Sequence, residues 1–268
     1  QMAGVFMRQN KPEKMIETWE RLIKDYPKSN LVPEGFLAIG KHLESQGQFD
    51  EAIAKYNEMM EKYKDDPRAA DALLYIGLCH FNCAAKMGSR RLLLDEPRKL
   101  WDERMSKATT SCEEILVRFP ENPRTNDALS TLVRIQGTRV TEQVFKQEDV
   151  ETYFKQLAEK FVDKPDLKVK VLCTLAGEML KGNQLEKALA VYDGALKESP
   201  GVILGPDVYF QYGRALLKGS QPERALEVAD KIQKHYSAVM QAMDKAVFLR
   251  AMVHLEKGEF AEAEKWFD

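Results

Sequence analysis

Apolar residues recur three and four positions apart along most of the chain. This spacing places them on one face of an α-helix and predicts a succession of amphipathic helices. One pair of such stretches comprises Phe36, Ile39, Gly40 and Leu43, then Ala52, Tyr56 and Met59, and another comprises Leu172, Leu175, Ala176 and Met179, then Ala188, Tyr192 and Ala195. Charged residues such as Glu58, Glu61 and Lys62 fill the other positions. We expect those faces to be solvated.

The predicted helices come in pairs, because a small residue is followed 12 positions later by a second small or apolar residue. The pairs are Ala3 with Met15, Gly40 with Ala52, Ala176 with Ala188, Gly213 with Ala225, and Ala251 with Ala263. Within each half of the chain their first members stand 37 or 38 residues apart, a period that accommodates two helices and their turns. Small side chains let helix backbones approach closely. We therefore expect the members of each pair to face each other across a helical hairpin.

Turn-forming residues separate the predicted helices. Residues that tolerate a left-handed backbone stand between the helices of a hairpin, at Asn10, Gly47, Gly182 with Asn183, Gly219 with Ser220, and Gly258. Prolines block the continuation of most second helices, at Pro27, Pro67, Pro120, Pro165 and Pro200. These boundaries predict repeats at about 1–30, 31–67, 68–122, 123–165, 166–201, 202–238 and 239–268.

Two repeats depart from the spacing. In the third, Gly77 and Ala108 stand 31 residues apart, which predicts an insertion at 86–100 and a longer second helix. In the fourth, Gln136 and Gly137 replace the expected apolar residues, so we expect a looser hairpin there. The sequence thus predicts an all-α fold of about seven helical hairpins in one domain, with the first and last incomplete.

The order of conserved residue types within each hairpin resembles the tetratricopeptide repeat over essentially the whole chain. An aromatic or large residue opens the first helix, a Leu-Gly pair or its equivalent follows, an alanine stands in the second helix, and a proline closes the repeat. Segments 19–30 and 56–81 are similar to a bacterial subclass with long second helices, which includes a periplasmic lipoprotein of the outer-membrane β-barrel assembly machine and the coordinator of the Tol-Pal system. The resemblance implies a right-handed α-α superhelix, and it favours the bacterial periplasm or envelope over the cytoplasm.

Composition narrows the classes of partner. The chain has 40 basic and 42 acidic residues and a net charge of −2, so no long-range field attracts nucleic acid or an anionic membrane. The first three repeats lack the basic stripe interleaved with aromatic residues that single-stranded nucleic acid requires. Apolar runs are only a few residues long, so we expect no direct insertion into a membrane.

No motif of catalytic chemistry stands out in the sequence. A Gly-rich phosphate loop, a nucleophile elbow and a histidine pair at metal spacing are all missing. Cys79, His80 and Cys83 could share a helix face as metal ligands, but a structural zinc site needs four ligands, and core packing is the alternative interpretation. We expect no catalytic residue, no cofactor and no metal.

The resemblance implies that the first helix of each hairpin lines a concave groove that holds a protein or peptide. Counted from the Leu-Gly pair, the groove positions are Leu37, Lys41, Leu74, Leu78 and Phe81 in the N-terminal half, and Lys170, Lys181, Phe210, Arg214, Lys218, Lys245 and Phe248 in the C-terminal half. The first set is mainly apolar and the second basic. We therefore expect a guest with an acidic segment or a C-terminal carboxylate. The alternative is that the lysines only keep the surface soluble.

Two further expectations concern the choice of partner. Chaperone-binding members clamp a carboxylate with an asparagine in the first helix, but Lys41, Leu78 and Arg134 stand at those positions here, so chaperone tails are not the expected guests. A competing interpretation is an architectural subunit that stacks end to end through residues near Phe6 or Trp266. Neither end shows a polar capping helix, and the chain begins with Gln1. We therefore expect the natural protein to continue in at least one direction, or its ends to meet a partner.

Overall fold

The computed structural model describes residues 12–267, which form thirteen α-helices and no strand. The helices are α1 (Pro12–Asp25), α2 (Val32–Ser45), α3 (Phe49–Lys62), α4 (Ala69–Lys86), α5 (Asp95–Arg118), α6 (Arg124–Thr141), α7 (Gln147–Glu159), α8 (Pro165–Lys181), α9 (Leu185–Glu198), α10 (Pro206–Lys218), α11 (Pro222–Tyr236), α12 (Met240–Glu256) and α13 (Phe260–Phe267). A 3-10 helix spans Arg90–Leu92. The predicted all-α fold of helical hairpins is confirmed. The predictions that rest on Ala3, Phe6 and Asn10 lie outside the described residues.

The chain forms two compact units, an N-terminal unit that ends at Lys146 and a C-terminal unit that begins at Gln147. In each unit, successive helices pack against each other, and the first helices of neighbouring hairpins also lie side by side. These are α2, α4 and α6 in the N-terminal unit and α8, α10 and α12 in the C-terminal unit. The boundary falls between α6 and α7, the helices of the predicted fourth repeat. A single domain through both units stays a prediction.

The same turn geometry ends five of the first helices. A residue with positive φ follows each of these helices, at Gly47 (73°), Gln143 (59°), Asn183 (58°), Ser220 (55°) and Gly258 (76°). The next residue then donates its N–H to a carbonyl five residues back, as from Gln48 to Leu43 at 2.9 Å and from Gln184 to Met179 at 2.8 Å. This is the Schellman motif, which satisfies carbonyls that the helix end leaves unbonded. At the two turns for which the sequence offers a pair of residues, the left-handed one is the second, Asn183 or Ser220.

The predicted small-residue contacts need correction. Gly40 and Gly213 do face their companion helices, but a methyl group on Gly40 would lie 2.3 Å from the Tyr56 ring, and one on Gly213 would lie 2.7 Å from Leu249 and 3.4 Å from Val228. The nearest partners are therefore not the residues 12 positions on. Side chains lean toward the N-terminus of their helix, so Tyr56 and Val228, about one turn after the predicted partners, reach the glycines on the companion helices. Leu249, which is nearest to Gly213, lies on α12, the first helix of the next hairpin. In the third repeat a methyl group on Gly77 would lie 3.2 Å from the Cys112 sulfur and 3.3 Å from the backbone oxygen of Ala108, so the predicted partner is one of its contacts but not the nearest.

The two units have a buried tyrosine at the same position of a second helix, four residues after its alanine. Tyr56 and Tyr192 are completely buried, and their rings lie 5.5 Å from Tyr75 and 4.8 Å from Tyr212, respectively. The Tyr56 hydroxyl donates a hydrogen bond of 3.5 Å to Glu44, whose carboxyl pKa is raised by burial. The Tyr192 hydroxyl is buried without a hydrogen-bond partner among the described residues. Leu180 stands where the repeat would place the counterpart of Glu44, four residues after Ala176.

The predicted third repeat contains the longest of the described helices. Helix α5 has 24 residues and buries Trp101, Met105 and Ile115 against the core. Its Arg104 forms an ion pair with Asp50 at 2.6 Å and lies 3.2 Å from Nδ1 of His80. His80 is buried, and burial followed by the charge of Arg104 lowers the pKa of its imidazole to about 4.

The cysteines behave mostly as core residues. Cys79, Cys112 and Cys173 are buried, while Cys83 is partly exposed, and all four are free thiols. Burial raises the pKa of Cys79, Cys112 and Cys173 to about 12, so these thiols stay protonated at neutral pH. Between residues 12 and 267, no helix is both long enough and apolar enough to cross a membrane.

We predict that Gly40→Ala destabilises the fold by about 1–3 kcal/mol, because the added methyl group overlaps the buried Tyr56 ring. Gly194→Ala is the matched control, since Gly194 lies in α9 with open space around it. The control should stabilise the protein by about 0.5–1 kcal/mol through helix propensity. Urea unfolding measures both changes, and equal effects of the two substitutions would refute the close contact.

We expect removal of the two tyrosine hydroxyls to have different effects. Tyr56→Phe should destabilise the protein by about 1 kcal/mol, because Glu44 loses its hydrogen-bond donor. Tyr192→Phe should be neutral or stabilising, because it removes a buried hydroxyl that has no partner among the described residues. The thermal unfolding midpoints of the two variants test this expectation. A larger decrease of the midpoint in Tyr192→Phe than in Tyr56→Phe would contradict it.

The stability of the protein should fall as the pH decreases from about 6.5 to about 4. In that window the unfolded chain protonates His80, whose ordinary pKa is about 6.5, whereas the native chain keeps it neutral. His80→Asn retains an acceptor for Arg104 but does not titrate, so its free energy of unfolding should depend less on pH in this window. Urea unfolding across the window tests this, and identical pH profiles would show that His80 contributes nothing.

Candidate functional site

The predicted N-terminal half of the groove is largely buried. Leu37, Leu74 and Phe81 are 8%, 4% and 9% exposed, so the expectation that they project into the groove is wrong. The reason is that α2, α4 and α6 lie side by side and cover these side chains. The guanidinium of Arg134 also lies 4.9 Å from the centre of the Phe81 ring.

The other two N-terminal positions are more accessible. Leu78 is partly buried, and Lys41 is exposed. The Lys41 ammonium lies 4.6 Å from the centre of the Tyr75 ring, within the range of a cation–π contact. This half of the predicted site therefore offers one cation and little apolar surface.

The predicted C-terminal half is accessible in the structure. Lys181, Arg214, Lys218 and Phe248 are exposed, and Lys170, Phe210 and Lys245 are partly buried. All seven lie on α8, α10 and α12, the first helices that pack side by side in the C-terminal unit. The structure thus brings the second set of predicted residues onto neighbouring helices.

An aromatic pair lies within this set. The rings of Phe210 on α10 and Phe248 on α12 meet edge to face, with centres 5.8 Å apart. The guanidinium of Arg214 lies 5.8 Å from the centre of the Phe210 ring. Because Phe210, Arg214 and Lys218 are four residues apart in turn, they follow one stripe of α10. We call these three residues together with Phe248 the basic face.

The charges of the predicted residues divide into paired and unpaired groups. Lys181 bonds Glu178 at 2.5 Å, and Lys245 forms an ion pair with Asp207 at 3.2 Å. Arg214, Lys218 and Lys170 have no carboxylate within 4 Å among the residues described. The basic face therefore carries two cations whose charge no neighbouring acid neutralises.

Sequence reasoning missed a polar network in the same unit. Tyr212 donates to Asp193 at 2.5 Å, and Arg224 donates to Asp193 at 2.6 Å and to the Tyr212 hydroxyl at 2.7 Å. Burial, followed by the bond to Asp193, raises the pKa of Tyr212. The network links α9, α10 and α11. Tyr212 and Arg224 stand 12 positions apart, the spacing of the hairpin pairs, but no spacing in the sequence marks Asp193 as their partner. It positions α10, the helix that carries most of the basic face.

The structure gives no support to a metal at Cys79, His80 and Cys83. The Arg104 guanidinium lies next to His80 and repels a second cation. Across the described part of the chain, no group of three His, Cys, Asp or Glu side chains is arranged to hold a metal ion.

Of the two residues named for end-to-end contacts, only one can be described. Trp266 on α13 is 36% exposed, and the guanidinium of Arg250 lies 5.2 Å from the centre of its ring. Phe6 lies outside the described residues.

Comparisons with solved structures give three similar chains. A tetratricopeptide repeat protein from Parabacteroides merdae is similar over 99% of this chain and 88% of its own, at 15% identity and a TM-score of 0.42. The TPR2AB domain of yeast Sti1, in a complex with pHSP90, is similar over 99% of this chain and 85% of its own, at 15% identity and a TM-score of 0.36. YrrB, described as a TPR protein with an unusual peptide-binding site, is similar over 85% of this chain and 97% of its own, at 17% identity and a TM-score of 0.36.

Sequence comparisons give the family. No curated protein matches the chain. Two family models, both described as tetratricopeptide repeat, do match it: one at residues 37–82 and 210–268, the other at residues 1–29. Together they span half of the sequence, and the chain belongs to the tetratricopeptide repeat family.

Proposed function

We propose that this chain is a non-catalytic scaffold for protein interactions, and that its C-terminal unit holds an acidic segment of a partner on the basic face. Membership of the tetratricopeptide repeat family supports the general role, because these repeats generally serve as protein-interaction modules. The choice of the C-terminal unit follows from the side chains, since the corresponding positions Leu37, Leu74 and Phe81 of the N-terminal unit are buried.

One observation carries the proposal, namely the cations Arg214 and Lys218, which have no carboxylate within 4 Å among the described residues, beside the aromatic pair of the partly buried Phe210 and the exposed Phe248. Elsewhere in the C-terminal unit, basic side chains are commonly neutralised by acids: Lys168 pairs with Glu198, Lys187 with Glu151, and Arg250 with Asp230. A carboxylate from a partner would supply the missing acid through charge-assisted hydrogen bonds, which are about twice as strong as neutral ones. The Phe210 and Phe248 rings would contact the apolar part of the same segment.

The acidic group could be a side chain or the C-terminal carboxylate of the partner, since both present the same pair of oxygens. A guanidinium recognises either through two parallel hydrogen bonds. Peptides that differ only in an amidated or free C-terminus separate these two sources.

A second candidate function is an assembly subunit that contacts its neighbours through the last helices. The observation in its favour is that Phe260, at the start of α13, is 69% exposed. Sedimentation velocity on wild type and Phe260→Ser tests it, because self-association through this side chain should weaken in the variant. The likeness to the bacterial envelope subclass, and an envelope location with it, stay predictions.

The proposal predicts how an acidic dodecapeptide with leucine and phenylalanine residues binds. In an NMR titration, the shifted amide signals should cluster on α10 and α12, and the double variant R214Q/K218Q should bind at least about tenfold more weakly. Lys181→Gln is the matched control and should leave the affinity nearly unchanged, because Glu178 already neutralises that charge. The affinity should also fall as the salt concentration rises.

Two outcomes of this titration would contradict the proposal. If the peptide binds the double variant as tightly as wild type, at low and at high salt alike, the basic face does not recognise acidic segments. If shifts of equal size appear over both units, the binding is unspecific.

A further inference from the structure

The insertion between α4 and α5 exposes apolar side chains to solvent. Leu92 and Leu94 are 83% and 80% exposed, and Leu100, in the first turns of α5, is 42% exposed. Exposed leucines are common as single residues, but here three stand within nine positions of one short segment. We call Leu92, Leu94 and Leu100 the insertion patch.

Polar contacts fix the backbone beneath the patch. Arg90 donates to both carboxylate oxygens of Asp102, at 2.7 and 2.8 Å. The Ser89 hydroxyl donates to Glu142 at 2.7 Å, and Arg98 donates to the carbonyl of Leu93 at 2.7 Å. The backbone that carries the leucines is therefore anchored, and a partner would not have to order that backbone on binding.

A pocket of about 440 Å³ lies beside the insertion. Phe49, Met87 and Leu100 supply its apolar walls. Arg104 also lines the pocket. Leu100 is the last residue of the insertion, and Arg104 lies one turn further along α5. The volume lies within the range that takes a small ligand or a large side chain.

The charges around the pocket indicate which kind of partner fits. Arg104 and Asp50 form an ion pair of 2.6 Å and neutralise each other's charge. Lys86 and Glu51 are the other two charged residues that line the pocket. The Lys86 ammonium lies 3.3 Å from the carbonyl oxygen of Gly47 and 4.5 Å from the centre of the Phe49 ring, with no carboxylate within 4 Å in the described ranges.

The insertion as a whole is basic although the chain is not. Positions 86–100 carry five cations, Lys86, Arg90, Arg91, Arg98 and Lys99, against two acids, Asp95 and Glu96, in a chain of net charge −2. Arg90, Arg91 and Lys99 pair with Asp102, Glu142 and Glu96, so Lys86 and Arg98 are the two cations of the insertion with no carboxylate within 4 Å among the described residues. These two cations complement an acidic partner.

We propose that the insertion is a second docking surface, whose occupant is an acidic segment of another protein that carries large apolar side chains. One apolar side chain of that segment enters the pocket, a neighbouring carboxylate meets the Lys86 ammonium, and further apolar groups contact Leu92 and Leu94. This site lies in the N-terminal unit and does not depend on the basic face.

A protein segment fits the observations better than an anionic lipid surface does. The charges of Arg90 and Arg91 are already met by Asp102 and Glu142, so the insertion offers a bilayer few unpaired cations. A bilayer also leaves the pocket beside Leu100 unfilled, whereas a side chain of a folded or extended segment fills it.

Selection from a random peptide display library tests the proposal without assuming a partner. The bait is the full chain carrying R214Q and K218Q, so that the basic face contributes nothing. We expect enriched peptides that combine aspartate or glutamate with leucine, phenylalanine or tryptophan. In fluorescence polarisation with these peptides, L92S/L94S should weaken binding by about tenfold. Met240→Ser is the matched control, because Met240 is 81% exposed but lies in the other unit.

Two charge changes in the pocket should act in opposite directions. Lys86→Met keeps the aliphatic stem and removes the cation, so it should weaken binding severalfold, whereas Glu51→Gln removes a repelling acid and should leave binding equal or tighter. Circular dichroism melting curves confirm that each variant is folded. The proposal is overturned if no peptide is enriched over a bait-free control, if the enriched peptides are basic, or if L92S/L94S binds like its parent.

Lipid vesicles provide the remaining comparison. The chain should not bind vesicles made of equal parts phosphatidylcholine and phosphatidylserine in a flotation assay. Flotation that requires Leu92 and Leu94 would assign the insertion patch to a membrane surface and refute a protein partner.

Discussion

The fold depends on a close approach between the two helices of a hairpin, where a glycine on the first helix meets a large buried side chain of its companion. At Gly40 the companion is the Tyr56 ring, and at Gly77 it is Cys112 together with the backbone of Ala108. A side chain on Gly40 would overlap the completely buried Tyr56 ring, and because protein interiors are close-packed, a small local shift cannot relieve that overlap. The contact at Gly77 is tight but less severe, since an added methyl group would lie 3.2 Å from the Cys112 sulfur and 3.3 Å from the Ala108 oxygen. This contact fixes the hairpin, and the hairpin in turn fixes which residues face outward.

The consequences differ between the two units because their first helices carry different side chains. In the N-terminal unit, leucines and Phe81 on α2 and α4 are buried where neighbouring first helices meet, so that face is mostly core. In the C-terminal unit, α10 and α12 present two phenylalanine rings and two cations without acidic neighbours. The accessible chemistry of the N-terminal unit lies instead at its insertion, where a pocket and exposed leucines adjoin the Lys86 ammonium. One repeated framework thus supports two surfaces of different composition.

Helix positions could be predicted from the sequence because they depend on local patterns. The three-and-four spacing, the prolines and the left-handed turn residues all act within a few positions, and the helices begin and end close to them. The partners of Gly40 and Gly213 were missed, because the direction in which a side chain leans decides the contact and spacing alone does not show it. Leu37 and Leu74 were misplaced for a related reason, since burial there depends on how closely neighbouring first helices pack. Tyr212 and Arg224 share the 12-residue spacing of the hairpin pairs, but Asp193 joins them from the preceding hairpin, and no spacing in the sequence marks it as their partner.

A double-mutant cycle between Gly40 and Tyr56 tests the central contact most directly. Gly40→Ala is measured in the wild type and in a Tyr56→Leu background, with the free energy of unfolding as the readout. If the Tyr56 ring occupies the space above Gly40, the cost of the alanine should largely disappear once the ring is removed, and helix propensity should then make the substitution neutral or favourable. An unchanged cost in the Tyr56→Leu background would contradict the account, because something other than the ring would then exclude a side chain at Gly40.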